Sequence, residues 1–215
     1  MVYPIAKCTI LPIHRLWMGK VQGTDNLLKN EPFIIAANHT SYYDILTLPS
    51  IIIPKLNKKM SALVNNHYWK KFITRAFLDL WECIPVFVGK QKNLKEKNRV
   101  SLEKAKKYLK DGRILMIFPE GGRSKDGKLK KAYNGIALLA LKSKVPVIPA
   151  GIIGADKVLP KGNLFPRFKR CEVKIGKPMH FNKFYNKKIN KQILDVVTRE
   201  IMKEIGKLIG QKYRY

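Results

Sequence analysis

Two short stretches of this sequence carry residue types that could do chemistry together. In "AANHTSYYDI", Ala36 to Ile45, His39 stands five residues before Asp44 and follows the apolar run "FIIAA". In the second, the apolar run from Ile114 to Phe118 breaks into Pro119, Glu120, Gly121, Gly122 and Arg123. A histidine that titrates near neutrality can take a proton from a hydroxyl. A carboxylate beside it can fix the imidazole tautomer and stabilise the imidazolium. If Thr40 or Ser41 caps a helix that begins there, the first turn brings Asp44 back beside His39. The glycine pair lets backbone approach a ligand closely and exposes N–H groups. Arg123 offers a fork of donors suited to phosphate. Glu120 cannot bind a phosphate, so within this binding loop it is expected to orient the loop or Arg123 by hydrogen bonding.

Either stretch alone has a plainer reading, a histidine capping a loop in one case and a surface turn in the other. Together they make a base and an anion clamp, for a substrate that carries a hydroxyl and a phosphate. The chain lacks a G-x-S-x-G elbow, and no cysteine lies near His39. The base would therefore act on the substrate hydroxyl directly.

The elements that must position these residues are legible as an alternation. Segments 33–37, 60–64, 83–88, 113–118, 145–152 and 171–175 read as strands, several of them apolar on both faces. Segments 67–80, 93–110 and 131–144 have helical spacing. The pattern predicts an α/β fold with a mainly parallel central sheet and helices on both faces. Ligands of such sheets sit beyond the carboxyl ends of the strands, where both stretches fall. From 182 to 215 apolar residues recur at helical spacing between cations, an amphipathic C-terminal helix that packs on the core or touches a membrane, with packing preferred.

The residues now become recognisable. "NHTSYYD" resembles the Asn-His-x4-Asp block of the glycerolipid acyltransferases, the family that includes 1-acyl-glycerol-3-phosphate acyltransferase. "FPEGGRS" is similar to its Phe-Pro-Glu-Gly-Thr-Arg-Ser block, with Gly122 in place of Thr. "VPVIPAGI" looks like its fourth block, "CIPVF" sits where the family has a strand ending in Ile-Pro-Val, and the resemblance runs from about Val21 to Pro178. It implies acyl transfer to a lipid hydroxyl from acyl-CoA or acyl carrier protein, with no metal or prosthetic group. By that resemblance His39 and Asp44 are catalytic, Glu120, Gly121, Gly122 and Arg123 form the substrate-binding loop, and backbone N–H groups near the glycines stabilise the oxyanion. Two departures stand out. Where members carry a lysine, this chain reads Leu63, Val64 and Asn65, and where they carry an arginine after Ile-Pro-Val it offers Lys90. Lys90 is thus an additional phosphate contact on this reading. A lysophospholipid is the expected acceptor, and glycerol phosphate or another lysolipid is the alternative.

Composition bounds the setting. The 215 residues suit a single domain, with 1–20 as a membrane-interfacial helical segment or a first helix packed on the core, 21–178 as the catalytic core and 182–215 as the C-terminal helix. Lys and Arg number 43 against 15 Asp and Glu, a net charge of +28. A general lysine bias would suffice for that, but such a surface also suits anionic lipid or an acidic partner. The lysines are spread along the chain and no nucleic-acid motif is present, so no nucleic acid is expected, and a non-catalytic basic module is the weakest reading. Three separated cysteines suggest neither a zinc site nor a disulfide framework, and fit a reducing compartment. No apolar run is long enough to span a bilayer, and the N-terminus is a poor signal peptide. These features predict a peripheral, monotopic protein on the cytoplasmic face of an anionic membrane.

Overall fold

The computed structural model describes residues 3–89, 92–163 and 165–215. Two short helices, α1 (Pro4–Cys8) and α2 (Ile10–Arg15), lead into an α/β chain. It continues through β1 (Met18–Gln22), β2 (Ile34–Ala37), α3 (Asp44–Leu56), β3 (Met60–Asn65), α4 (Phe72–Leu80), β4 (Ile84–Val86), α5 (Leu94–Lys110) and β5 (Ile114–Ile117). Then follow α6 (Gly135–Ser143), β6 (Val147–Ile153), α7 (Ala155–Val158), β7 (Cys171–Ile175) and α8 (Lys191–Ile209). The strands form one seven-stranded sheet in the order β1-β7-β6-β2-β5-β3-β4. Every neighbouring pair is parallel except β6 and β7.

Side-chain alternation explains why both faces are covered. In β2, Ile35 and Ala37 join one apolar cluster while Ile34 and Ala36 join the other. In β5, Ile114 and Met116 face the first cluster, Leu115 and Ile117 the second. A strand with apolar residues at every position needs a helical layer on each side. α2 and α3 cover the first face, and α5, α6 and α8 cover the second. On α8 the buried stripe is Val197, Ile201, Met202 and Ile205, so this amphipathic helix packs on the sheet.

The N-terminal segment divides between core and surface. β1 is an added edge strand in parallel register with β7, Met18 opposite Cys171. Leu11 is wholly buried, whereas Ile13 and Leu16 are 57% and 70% exposed. His14 is buried and stacked on Tyr43, with ring centroids 3.9 Å apart. Burial pushes its pKa down to about 4, so it adds no charge to this segment near neutral pH. Among the described residues no helix is long and apolar enough to cross a membrane.

Segment 131–144 is helical only from Gly135, because residues before it spend their N–H groups on other loops. Segment 67–80 begins with a 3₁₀ turn, Asn66–Lys70, before α4. α3 has a sequence, "DILTLPSIIIPKL", that contains two prolines and three successive isoleucines. Both features disfavour a helix locally. Burial of Leu48, Ile51, Ile52 and Ile53 against the sheet supplies the missing stabilisation.

β2 does not pair with β6 by backbone alone. Asn38, 2% exposed, donates from Nδ2 to the Ile152 carbonyl and accepts from the Ile152 N–H, both at 2.8 Å. Its amide replaces the next rung of the ladder and holds the residue before His39. Asn38→Ala should leave both Ile152 groups unpaired, at about 1–3 kcal/mol for each buried group. The expected outcome is a lowered urea midpoint with an unchanged m-value.

Candidate active site

The site lies where β2 and β5, adjacent and parallel, both end. The chain leaves β2 for α3 on one face and leaves β5 for α6 on the other. Diverging connections open a crevice at the strand ends, which is where open α/β sheets bind ligands.

His39 and Asp44 meet there. His39 Nδ1–H donates to Asp44 Oδ2 at 2.9 Å. The same oxygen accepts from the N–H groups of Thr40 (2.7 Å) and Ser41 (2.8 Å). Asp44 has no solvent exposure, so these three donors stand in for water around its charge. Of the two capping candidates Ser41 takes the role: its Oγ accepts from the Tyr43 N–H at 3.1 Å in the turn that enters α3, and donates to the Leu159 carbonyl at 2.7 Å. The Asp44 carboxylate adds to this by reaching back to the loop N–H groups. With Nδ1 tied to Asp44, Nε2 is left as the imidazole's acceptor nitrogen. The ring is flat against Phe118, centroids 4.1 Å apart and planes 15° from parallel.

The second loop holds the first. Glu120, 2% exposed, accepts from the His39 N–H through Oε1 and from the Lys130 N–H through Oε2, both at 2.9 Å. The Ser124 N–H returns a 2.7 Å bond to the His39 carbonyl. Burial pushes the Glu120 pKa up, and its two N–H donors oppose that shift. Both its oxygens serve backbone N–H groups, including that of His39 itself, and neither is bonded to Arg123. Gly121 has φ +67°, and a Cβ there would lie 2.6 Å from the Tyr133 ring, so conformation and contact both require glycine. Arg123 stacks on Tyr42, its guanidinium carbon 3.5 Å from the ring centroid. Tyr42 Oη in turn lies 3.3 Å from Tyr68 Oη. Among the described residues, the N–H groups of Gly122 and Arg123 have no intramolecular acceptor.

His39, Asp44, Glu120, Gly121, Gly122 and Arg123 thus come together from two loops 81 positions apart. Lys90 lies outside the described residues. Sequence reasoning passed over Phe118, Tyr42 and Tyr68. Their signal was only adjacency, Phe118 and Tyr42 being inside the two stretches already singled out.

The family model described as Acyltransferase matches residues 19–153, more than half of the chain. A chloroplastic 1-acyl-sn-glycerol-3-phosphate acyltransferase of Arabidopsis thaliana is 29% identical over 181 residues, 83% of this chain and 47% of that one. A second, from Brassica napus, is 29% identical over 71% of this chain and 42% of its own length. The chain therefore spans a little under half the length of these plant relatives. The 1-acyl-sn-glycerol-3-phosphate acyltransferase of Bacillus subtilis is 28% identical over 75% of this chain and 73% of its own. The crystal structure of a 1-acyl-sn-glycerophosphate acyltransferase from Thermotoga maritima superposes with a TM-score of 0.63, 22% identity and coverage of 95% and 82%. That likeness is one of fold. The match over residues 19–153 takes in both loops of the site, and the chain belongs to the acyltransferase family.

Proposed function

We propose that the chain transfers an acyl group from acyl-CoA or acyl carrier protein to the free hydroxyl of 1-acyl-glycerol-3-phosphate, making phosphatidic acid. The observation that carries this reading is the 2.9 Å contact of His39 Nδ1 with buried Asp44, which leaves Nε2 to serve as base in the crevice. The substrate hydroxyl gives its proton to Nε2 while its oxygen attacks the thioester carbonyl. Asp44, bonded to Nδ1, orients the ring and stabilises the imidazolium. The tetrahedral oxyanion would be met by the unpaired N–H groups of Gly122 and Arg123. Collapse breaks the C–S bond, and the departing thiolate takes the proton back from Nε2. Arg123, braced on Tyr42, would hold the acceptor phosphate. The bracing limits the rotamer entropy lost on binding. A different acceptor remains the second reading, since Leu63, Val64 and Asn65 bring no cation to the β3 end.

The same reading places the protein peripherally on an anionic membrane, at its cytoplasmic face. Three exposed apolar groups flank the sheet end that carries the site. Leu16 lies just before β1, Phe165 (81% exposed) and Phe168 (99%) before β7, and Phe72 (86%) after β3. Arg15, Lys71, Arg167 and Lys169 are exposed between them. Apolar tips interleaved with cations suit a headgroup boundary. Leu11 belongs to the core rather than to that surface. Cys8, Cys83 and Cys171 are free thiols, which suits a reducing compartment.

Three measurements test this. His39→Ala should lower thiol release from an acyl donor in the presence of lysophosphatidate by about 10²–10⁴-fold while the cooperative urea transition is retained. Parallel assays with acyl-CoA and acyl carrier protein identify the donor, and normal turnover by this variant would refute the mechanism. Arg123→Ala should raise KM for a phosphate-bearing acceptor by an amount worth about 1.5–3 kcal/mol. An equal loss with a phosphate-free acceptor would make Arg123 a structural residue. The double variant Leu16→Asp, Phe168→Asp should co-sediment less with vesicles of anionic lipid, and salt should release part of the wild-type protein. Equal sedimentation of both proteins would remove this surface from the membrane.

A further inference from the structure

The six residues after α8 turn back toward the catalytic loop. Gly210, at φ +71°, ends the helix. The Gln211 N–H then bonds the Gly206 carbonyl at 2.8 Å. A Cβ on Gly206 would sit 2.5 Å from the Gln211 carbonyl oxygen, so only glycine lets the tail pass this close to the helix. Folded back, Gln211 grips residues 127–129 with both ends of its amide. Its Oε1 accepts from the Leu129 N–H at 3.0 Å, and its Nε2 donates to the Gly127 carbonyl at 2.9 Å. Tyr213, 8% exposed, accepts from the Ala132 N–H at 3.0 Å.

Residues 129–133 form an extended ribbon whose N–H groups are divided between two sides. Leu129 and Ala132 donate to the tail. Lys130 donates to Glu120 and Tyr133 to the Pro119 carbonyl. The ribbon thus links the tail to Glu120, and Glu120 holds the N–H of His39. Two side chains spend their polar atoms on three backbone groups, the Leu129 and Ala132 N–H groups of the ribbon and the Gly127 carbonyl just before it.

We propose that Gln211 and Tyr213 are positioning residues for His39, acting through the 129–133 ribbon and the Glu120 carboxylate. The inference rests on the reading of His39 as the base. The tail sets the place of the Lys130 N–H, that donor sets one oxygen of Glu120, and the other oxygen sets the backbone from which the imidazole projects. A displacement of the ribbon would shift Nε2 relative to a bound thioester without touching either substrate. Loss of these bonds should therefore appear in kcat rather than in KM.

Full-length Tyr213→Phe and Gln211→Ala test this. The first keeps the buried ring and removes only the acceptor for Ala132. In each variant kcat should fall about tenfold. KM for acyl donor and for lysophosphatidate should stay within about twofold. Hydrogen exchange gives a readout that does not depend on catalysis. Peptides covering 36–46 and 118–134 should exchange about tenfold faster than in the wild type, and peptides of β6 at the wild-type rate. Unchanged kcat in an active enzyme, or a fall matched by faster exchange throughout the sheet, would overturn the proposal. Unaltered exchange in 36–46 would overturn it as well. An inactive wild type would refute the acyltransferase reading instead, and the exchange data would still decide whether the tail holds the His39 loop.

Discussion

A fully buried carboxylate organises this molecule. Asp44 sits in the interior, where an unpaired charge would be untenable, and one of its oxygens gathers the Nδ1–H of His39 and the N–H groups of Thr40 and Ser41. Satisfying that charge does several things together. It curls residues 38–43 into a compact loop, selects the histidine tautomer with Nε2 free, and starts α3 at the residue that carries the charge. The negative group lies at the positive end of α3, so the helix dipole adds to its stabilisation. The loop and the site share one electrostatic cause.

Glu120 repeats the device one strand away. It too is buried, and each of its oxygens accepts from a backbone N–H, that of His39 or that of Lys130. Its role is to join two loops that leave the sheet in opposite directions. Without a bridge, the crevice that makes room for a ligand would also separate the base from the anion-binding loop. The crossing bond from the Ser124 N–H to the His39 carbonyl closes the connection from the other side. The two buried acids thus take opposite scales of work, Asp44 within one loop and Glu120 between loops.

The cationic surplus belongs to a different layer of the structure. Ion pairs such as Arg99 with Glu96 and Lys191 with Asp195 are solvent-exposed and close in sequence. Pairs of that kind contribute little to stability. The 43 Lys and Arg cannot be neutralised by 15 acidic residues, two of which are buried in the site, and a net charge of +28 is left. The remaining charge is available for anionic substrates and surfaces, and its self-repulsion is tolerated because two apolar clusters hold the sheet from both sides.

The sequence by itself determined the α/β alternation, since strands apolar at every position can exist only inside a covered sheet. It also determined the two loops, because His39, Asp44, the glycines and Arg123 are chemically conspicuous and follow apolar runs. It offered α3 only as a condition, a helix capped by Thr40 or Ser41, because the prolines and isoleucines argue against a helix until burial overrides them. Nor did it show that Met18–Gln22 would be an edge strand, because a short alternating segment has no fate until β7 offers it a partner. Only the tertiary structure decided that Leu11 is core while Leu16 is surface, as α2 presents them to different surroundings. It likewise decided what Glu120 does. A glutamate beside an arginine reads as its partner, but the fold brings two backbone N–H groups to its oxygens and sets Arg123 against Tyr42 instead. Contacts across 81 positions depend on which strands lie side by side, and hydrophobic periodicity carries no record of strand order.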